Sequence, residues 1–151
     1  MTTARTTSAG LWRYAKDYCH AGSVVEKSAN GKFSEPAYYL YGHSIELALK
    51  AFLVARKVPY RKLRSPAFGH DLIALLKEAR RHRLGQFISF NRKELAALAQ
   101  LNVEYSSKRF EYIVTGMISL PKIATVHLFS FSLVAALEKY CVESTYGKFG
   151  A

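Results

Sequence analysis

The segment from Ala37 to Val58 constrains the fold more than any other part of the chain. Tyr38, Tyr41, Ile45, Ala48, Phe52 and Ala55 recur at the spacing of one helical face, and Leu40, Leu47, Leu49, Leu53 and Val54 fill the other faces. A helix that is apolar all round needs cover on every side, which predicts a central place in a bundle. Its limits are legible too. Ser34-Glu35-Pro36 offers a capping hydroxyl and a proline in the first turn, where a missing N–H costs nothing, and Pro59 forbids continuation.

The flanking segments supply the cover. Leu11, Tyr14, Ala15, Tyr18 and Val25 predict a first helix over Ala9 to Ser28, closed by the turn dipeptide Asn30-Gly31. After a loop from Pro59 to Gly69, Phe68-Gly69-His70-Asp71 opens a third helix with the stripe Leu72, Leu75, Leu76 and Ala79, stopping near Gly85. Asn91 and Glu94 form a capping box ahead of Leu95, Leu98 and Leu101. Val103 to Ser119, with Val114, Thr115 and Gly116, reads as an ordered connector in which only Phe110 to Val114 has any strand character. Pro121 starts a last helix carrying Ile123, Val126, Phe129, Leu133, Leu137 and Tyr140 and ending by Gly147. The expected fold is all-α, an up-and-down helical bundle of about five helices. One domain spans residues 1–151, with 1–8 and 145–151 expected as flexible tails.

Charge narrows the function. The 151 residues carry 22 Lys plus Arg against 11 Asp plus Glu, a net charge of +11 that points to a polyanionic partner. Arg56, Lys57, Arg61, Lys62 and Arg64 fall within nine residues without an acid, beside Tyr60 and Phe68, and Lys77, Arg80, Arg81 and Arg83 follow on the third helix. If loop and helix end share one face, they form a phosphate-tracking surface with aromatic platforms, suited to single-stranded RNA; the competing reading is a solvated face. No apolar run is long enough to cross a membrane and Met1 to Gly10 lacks an apolar leader, so a cytoplasmic location is expected. Cys19 and Cys141 are too few for a disulfide scaffold, and with His20 they lack the close spacing of a zinc site. Gly42-His43-Ser44-Ile45-Glu46 fails the nucleophile-elbow pattern, Asn30-Gly31-Lys32 lacks a phosphate loop's upstream glycine, and no dinucleotide fingerprint is present. No cofactor is expected.

Three patterns in order carry a family resemblance. Gly42-His43-Ser44-Ile45-Glu46-Leu47-Ala48-Leu49-Lys50-Ala51-Phe52-Leu53 resembles the second helix of HEPN domains, named for higher eukaryotes and prokaryotes nucleotide-binding. Gly69-His70-Asp71-Leu72 with Leu75-Leu76 is similar to that family's helix start, and Tyr105 with Arg109-Phe110 to its tyrosine and Arg-Tyr segment, with phenylalanine for tyrosine. The resemblance spans Tyr38 to Tyr140. It implies a helical bundle, frequently a homodimer, that binds RNA or nucleotides. It also implies either a metal-independent endoribonuclease of toxin–antitoxin type or a non-catalytic partner of a nucleotidyltransferase-like protein. The family's enzymes place an arginine four to six residues before a histidine near the last helix; here Lys122 precedes His127 at that spacing, lysine replacing arginine.

The residues themselves permit a second reading at each position. His127 is the candidate acid–base group and Lys122 and Arg109 the phosphate donors, lysine being the poorer because it offers a point charge where arginine offers a fork. Against this, His127 lies between Val126 and Leu128-Phe129 and fits an interior hydrogen-bonded histidine, and Arg109 fits an arginine bonding helix-end carbonyls. Helical positions five apart diverge by about 140°, so Lys122 and His127 converge only through a loose first turn or across a dimer axis. His70 reads as a capping or packing residue. Glu46 and Lys50, at the favourable spacing of four, and His43 one turn earlier read most simply as a solvent-facing strip, with a ligand-serving strip inside the bundle as the alternative.

Overall fold

The computed structural model describes residues 6–111 and 115–147. Six α-helices follow in order: α1 Ser8–Ser28, α2 Glu35–Ala55, α3 Tyr60–Leu63, α4 Leu72–Arg81, α5 Arg92–Ser106 and α6 Ile123–Tyr146, with a 3-10 turn at Leu84–Gln86. Five of them are long and α3 is a single turn within the Pro59–Gly69 loop. The fold is an all-α bundle, and no strand occurs among the described residues. Tyr112 and most of the Phe110–Val114 segment lie outside them.

The apolar composition of α2 places it at the centre, where Tyr41, Ile45, Ala48, Leu49, Phe52 and Leu53 are wholly buried. It packs on α1, α4, α5 and α6. Small groups set the closest approaches. Ser44 Oγ donates to the Ala15 carbonyl at 2.6 Å and receives a bond from Ser130 Oγ at 2.9 Å, tying α1, α2 and α6 at one level. Gly42 lets the Tyr105 ring lie against α2, since a Cβ there would come within 2.7 Å of it. Trp12 Nε1 donates to the Val134 carbonyl and Tyr38 Oη to that of Pro121, fixing the middle of α6 and the chain just before its start.

Helix directions follow from the paired residues. Contacts Glu46–His70 and Arg56–Gln86 show that α2 and α4 run the same way, so the 56–71 loop returns the length of the bundle between them. That return brings Lys62 within 3.5 Å of Glu78 and sets the loop beside α4.

Several boundaries differ from the sequence reading. The second helix ends at Ala55, before Pro59 can act: Lys57 takes a left-handed conformation with φ 72°, and Val58 N–H bonds the Leu53 carbonyl. This is a Schellman ending, with Val58 buried as its apolar contact. The expected connector begins later than Val103, because Tyr105 is buried in the core and its packing carries α5 to Ser106. The expected tails are partly pinned. Thr7 caps α1, Ser8 Oγ donates to the Ala51 carbonyl, and Ala9 N–H donates to Thr145 Oγ1 on α6. Residues 1–5 and 148–151 of those tails lie outside the described residues. The Asn91–Glu94 capping box forms as expected, whereas Ser34 makes no side-chain cap bond.

Candidate functional site

The strip read as solvent-facing is buried. Glu46 is 2 % exposed and Lys50 5 %, and around the Glu46 carboxylate four side chains from three parts of the chain converge. Lys50 Nζ donates to Oε2 at 2.7 Å; Tyr105 Oη from α5 and His70 Nδ1 from the loop before α4 donate to Oε1 at 2.6 and 2.9 Å. His43, one turn before Glu46, sets Nδ1 3.1 Å from Tyr105 Oη and 3.8 Å from Oε1. Burial alone would push the Glu46 carboxyl up. Donation from the His43 side, the Lys50 charge and the Tyr105 hydroxyl outweigh it, so the group is held well below the usual carboxylate range. Tyr105 shifts the other way: burial and the adjacent Glu46 anion hold its phenol well above the ordinary value.

These partners fix the tautomers of both imidazoles. The phenol hydrogen of Tyr105 is committed to Glu46, so its oxygen accepts from His43 Nδ1–H, and a carboxylate can only accept from His70 Nδ1–H. Each ring in its neutral form therefore carries its lone pair on Nε2. His43 is packed edge-on by Tyr18 and stacked by Tyr39. The side chains remain 20 % and 36 % exposed, so the imidazoles bridge the buried anion and the surface. Of the capping or packing role read for His70 from the sequence, the capping part falls to Asp71, which accepts from Ile73 and Ala74 N–H.

His127 is not sealed among apolar neighbours. Its ring stacks on Tyr41 with centroids 4.9 Å apart, and its Nδ1 lies 3.7 Å from Glu26 Oε1, which also accepts from Tyr41 Oη at 2.6 Å. It opens onto a groove of about 460 Å³ between α1 and α6, lined also by Trp12, Lys16, His20 and Phe131. Lys122 does not join it. As the exposed N-cap residue of α6 it lines neither groove that His127 borders, because five residues of a regular helix set the two about 140° apart in angle and about 7.5 Å apart in height. Arg109 is also drawn elsewhere: its side chain is 16 % exposed, with Nε 3.5 Å from Glu104 and no hydrogen bond at Nε or Nη2 among the described residues. The three candidates for phosphodiester chemistry thus do not meet within one chain.

The basic residues meet in part. The ends of α2 and α4 bring Arg56, Arg81, His82 and Arg83 around one concavity of about 290 Å³. Glu78 draws in both Lys62 and Arg81, at 3.5 and 3.4 Å. Arg61, Arg64 and Arg80 are exposed nearby on α3 and α4. Arg56 is more a packing residue than expected, since its guanidinium lies over Phe52, Phe87 and Tyr140 and bonds Gln86. Lys57 turns away to a separate groove beside Thr7, Ser8 and Thr145. The aromatic platforms are covered by cations, Arg64 over Tyr60 and Lys62 over Phe68.

Cys19 and Cys141 are buried free thiols, and among the described residues no three His, Cys, Asp or Glu side chains gather as metal ligands. Among the same residues no helix is long and apolar enough to cross a membrane. Family models, curated proteins and solved structures provide no match to this chain.

Proposed function

We propose that this chain is an RNA-associated helical module whose binding surface is the basic flank formed by α3, the end of α4 and the end of α2. The observation that supports it is the gathering of Arg56, Arg81, His82 and Arg83 around one concavity, with Lys62 joined to Arg81 through Glu78 and with Arg61, Arg64 and Arg80 exposed on the neighbouring turns of chain. Acids neutralise little of this surface, because Glu78 is the one carboxylate paired there among the described ion pairs. A backbone of phosphates would meet cations at two levels along α4, with Tyr60 and Phe68 available to bases once Arg64 and Lys62 swing to phosphate.

Fluorescence anisotropy with a single-stranded RNA tests this. Binding should weaken with salt at a slope of about −0.7 per phosphate contact, and Arg64→Ala or Arg81→Ala should each reduce the slope by about that amount. Absence of binding at low salt, or binding that ignores salt, overturns it.

A second reading, a homodimer or a docking module for a nucleotidyltransferase-like protein, is favoured by the outer face of α6. Ala124, Leu128, Phe131 and Ala135 are all exposed at a four-three-four spacing, Leu128 at 54 % and Phe131 at 59 %. Sedimentation equilibrium of the wild type against Phe131→Asp tests it: a monomer in both excludes the homodimer.

A further inference from the structure

We infer that His43 and His70 form an acid–base pair that cleaves single-stranded RNA through its own 2′-hydroxyl, with Glu46 and Tyr105 as positioning residues. This rests on the RNA-binding reading and moves the chemistry away from Lys122, His127 and Arg109. Three observations carry it. Both rings are anchored through Nδ1 to one buried hydrogen-bonded unit, so both direct Nε2 away from it, and both remain partly exposed. The positive charge of Lys50 already balances Glu46, so the unit holds its geometry without needing either imidazole charged. Finally, the ten-residue α4 separates His70 at its start from Arg80 and Arg81 at its end by ~15 Å, with the cationic return loop alongside. One extended strand can therefore lie on the basic flank and reach the imidazoles.

The step balances with groups already present. His43, whose Nδ1–H rests on a neutral phenol, takes the ribose 2′-hydroxyl proton at Nε2 as that oxygen bonds to phosphorus. His70, its Nδ1–H held on the carboxylate, acts in its imidazolium form and delivers the Nε2 proton to the departing 5′-oxygen as the P–O5′ bond breaks. The products are a 2′,3′-cyclic phosphate and a 5′-hydroxyl; proton exchange with water resets the pair, and no metal ion or oxidant enters.

The full chain is incubated with a fluorescein-labelled single-stranded RNA in EDTA, products are identified by mass spectrometry, and affinity is read separately by anisotropy. Cleavage leaving cyclic phosphate ends is expected, and an all-deoxy strand of the same sequence should remain intact. His43→Asn and His70→Asn keep a donor where Nδ1–H stood but remove Nε2, so each should keep the wild-type circular dichroism spectrum and cleave about 100-fold more slowly or worse. Tyr105→Phe, which removes the oxygen that receives His43, should lower kcat with KM unchanged. RNA that binds but is never cut, or cleavage that survives both histidine substitutions or is lost only in His127→Ala, overturns this inference and leaves the binding surface standing. No binding to the RNA at all overturns both.

Discussion

Removing the charge of Glu46 should destabilise the protein sharply. In Glu46→Gln the amide oxygen can still receive Tyr105 and His70, but the amide nitrogen faces Lys50 Nζ, which stands 2.7 Å from the present Oε2 and is itself buried. A buried ammonium then has no anion. Breaking one half of such a pair costs about 3–5 kcal/mol, and for a chain of this size each kcal/mol moves Tm by about 2–4 °C, so a fall of ~10 °C is expected. Lys50→Met should cost a similar amount by stranding the carboxylate. The Glu46→Gln/Lys50→Met double variant should lose at least 1 kcal/mol less than the sum, because neither charge is left alone. Denaturant unfolding followed by circular dichroism gives all four corners of the cycle. The pH dependence adds an independent check. A carboxyl held low in the folded state contributes stability above the ordinary carboxylate pKa, and that contribution drains away as pH falls from there toward the depressed value. Wild type should therefore lose more stability than Glu46→Gln between about pH 5 and pH 3. If the single variant melts within 2 °C of wild type, or the two substitutions add, the carboxylate is not the hub described above.

Three further outcomes follow from the packing. Gly42→Ala, ordinarily favourable in a helix, should destabilise by about 1–3 kcal/mol and shift Tyr105, because the new methyl would lie 2.7 Å from its ring; a rise in Tm would contradict this. Burial pushes the Cys141 thiol up to about 11, so native protein at pH 8 should resist alkylation there until it unfolds, and rapid labelling of the native chain would count against a buried site. Lys57→Gly should stabilise by about 0.5–1 kcal/mol by relieving a left-handed residue at φ 72°, as thermal melts would show; a lower Tm would mean that Lys57 makes a contact outweighing the strain.

The helices were legible because each has a strong local signature. The all-round apolar α2, the Asn91–Glu94 box and the Leu72–Ala79 stripe all become what their periodicity demands. The polar site was legible only as the less simple of two readings. Glu46, His43 and Lys50 look like an exposed strip because charged residues are rarely buried unpaired, and the partners that make burial tolerable, His70 and Tyr105, lie 24 and 59 positions away. One signal was available: on a helix apolar on every face, a Glu–Lys pair has no solvent side to occupy. The Lys122–His127 spacing left convergence open for a different reason, since a spacing states only distance along the chain. Lys122 became the N-cap of α6, where its backbone serves the helix and its side chain goes to solvent.

Helix ends make the same point about what the chain gives up in stability. A left-handed residue closes α2, α4 and α5, and at each glycine would cost least, yet the chain places Lys57, Arg83 and Lys108 there at φ 72°, 70° and 62°. Attraction to the negative helix end returns about 0.3–1 kcal/mol of the roughly 1–3 kcal/mol each such conformation costs. Of the three, Arg83 borders the concavity of Arg56 and Arg81, whereas Lys57 faces the groove beside Thr7 and Thr145 and Lys108 follows the end of α5. At the first helix, whose end lies apart from that flank, the same conformation is taken by Asn30, which tolerates it. At Arg83 the chain breaks a local rule where its charge borders the proposed binding surface, which fits a surface whose charge is used.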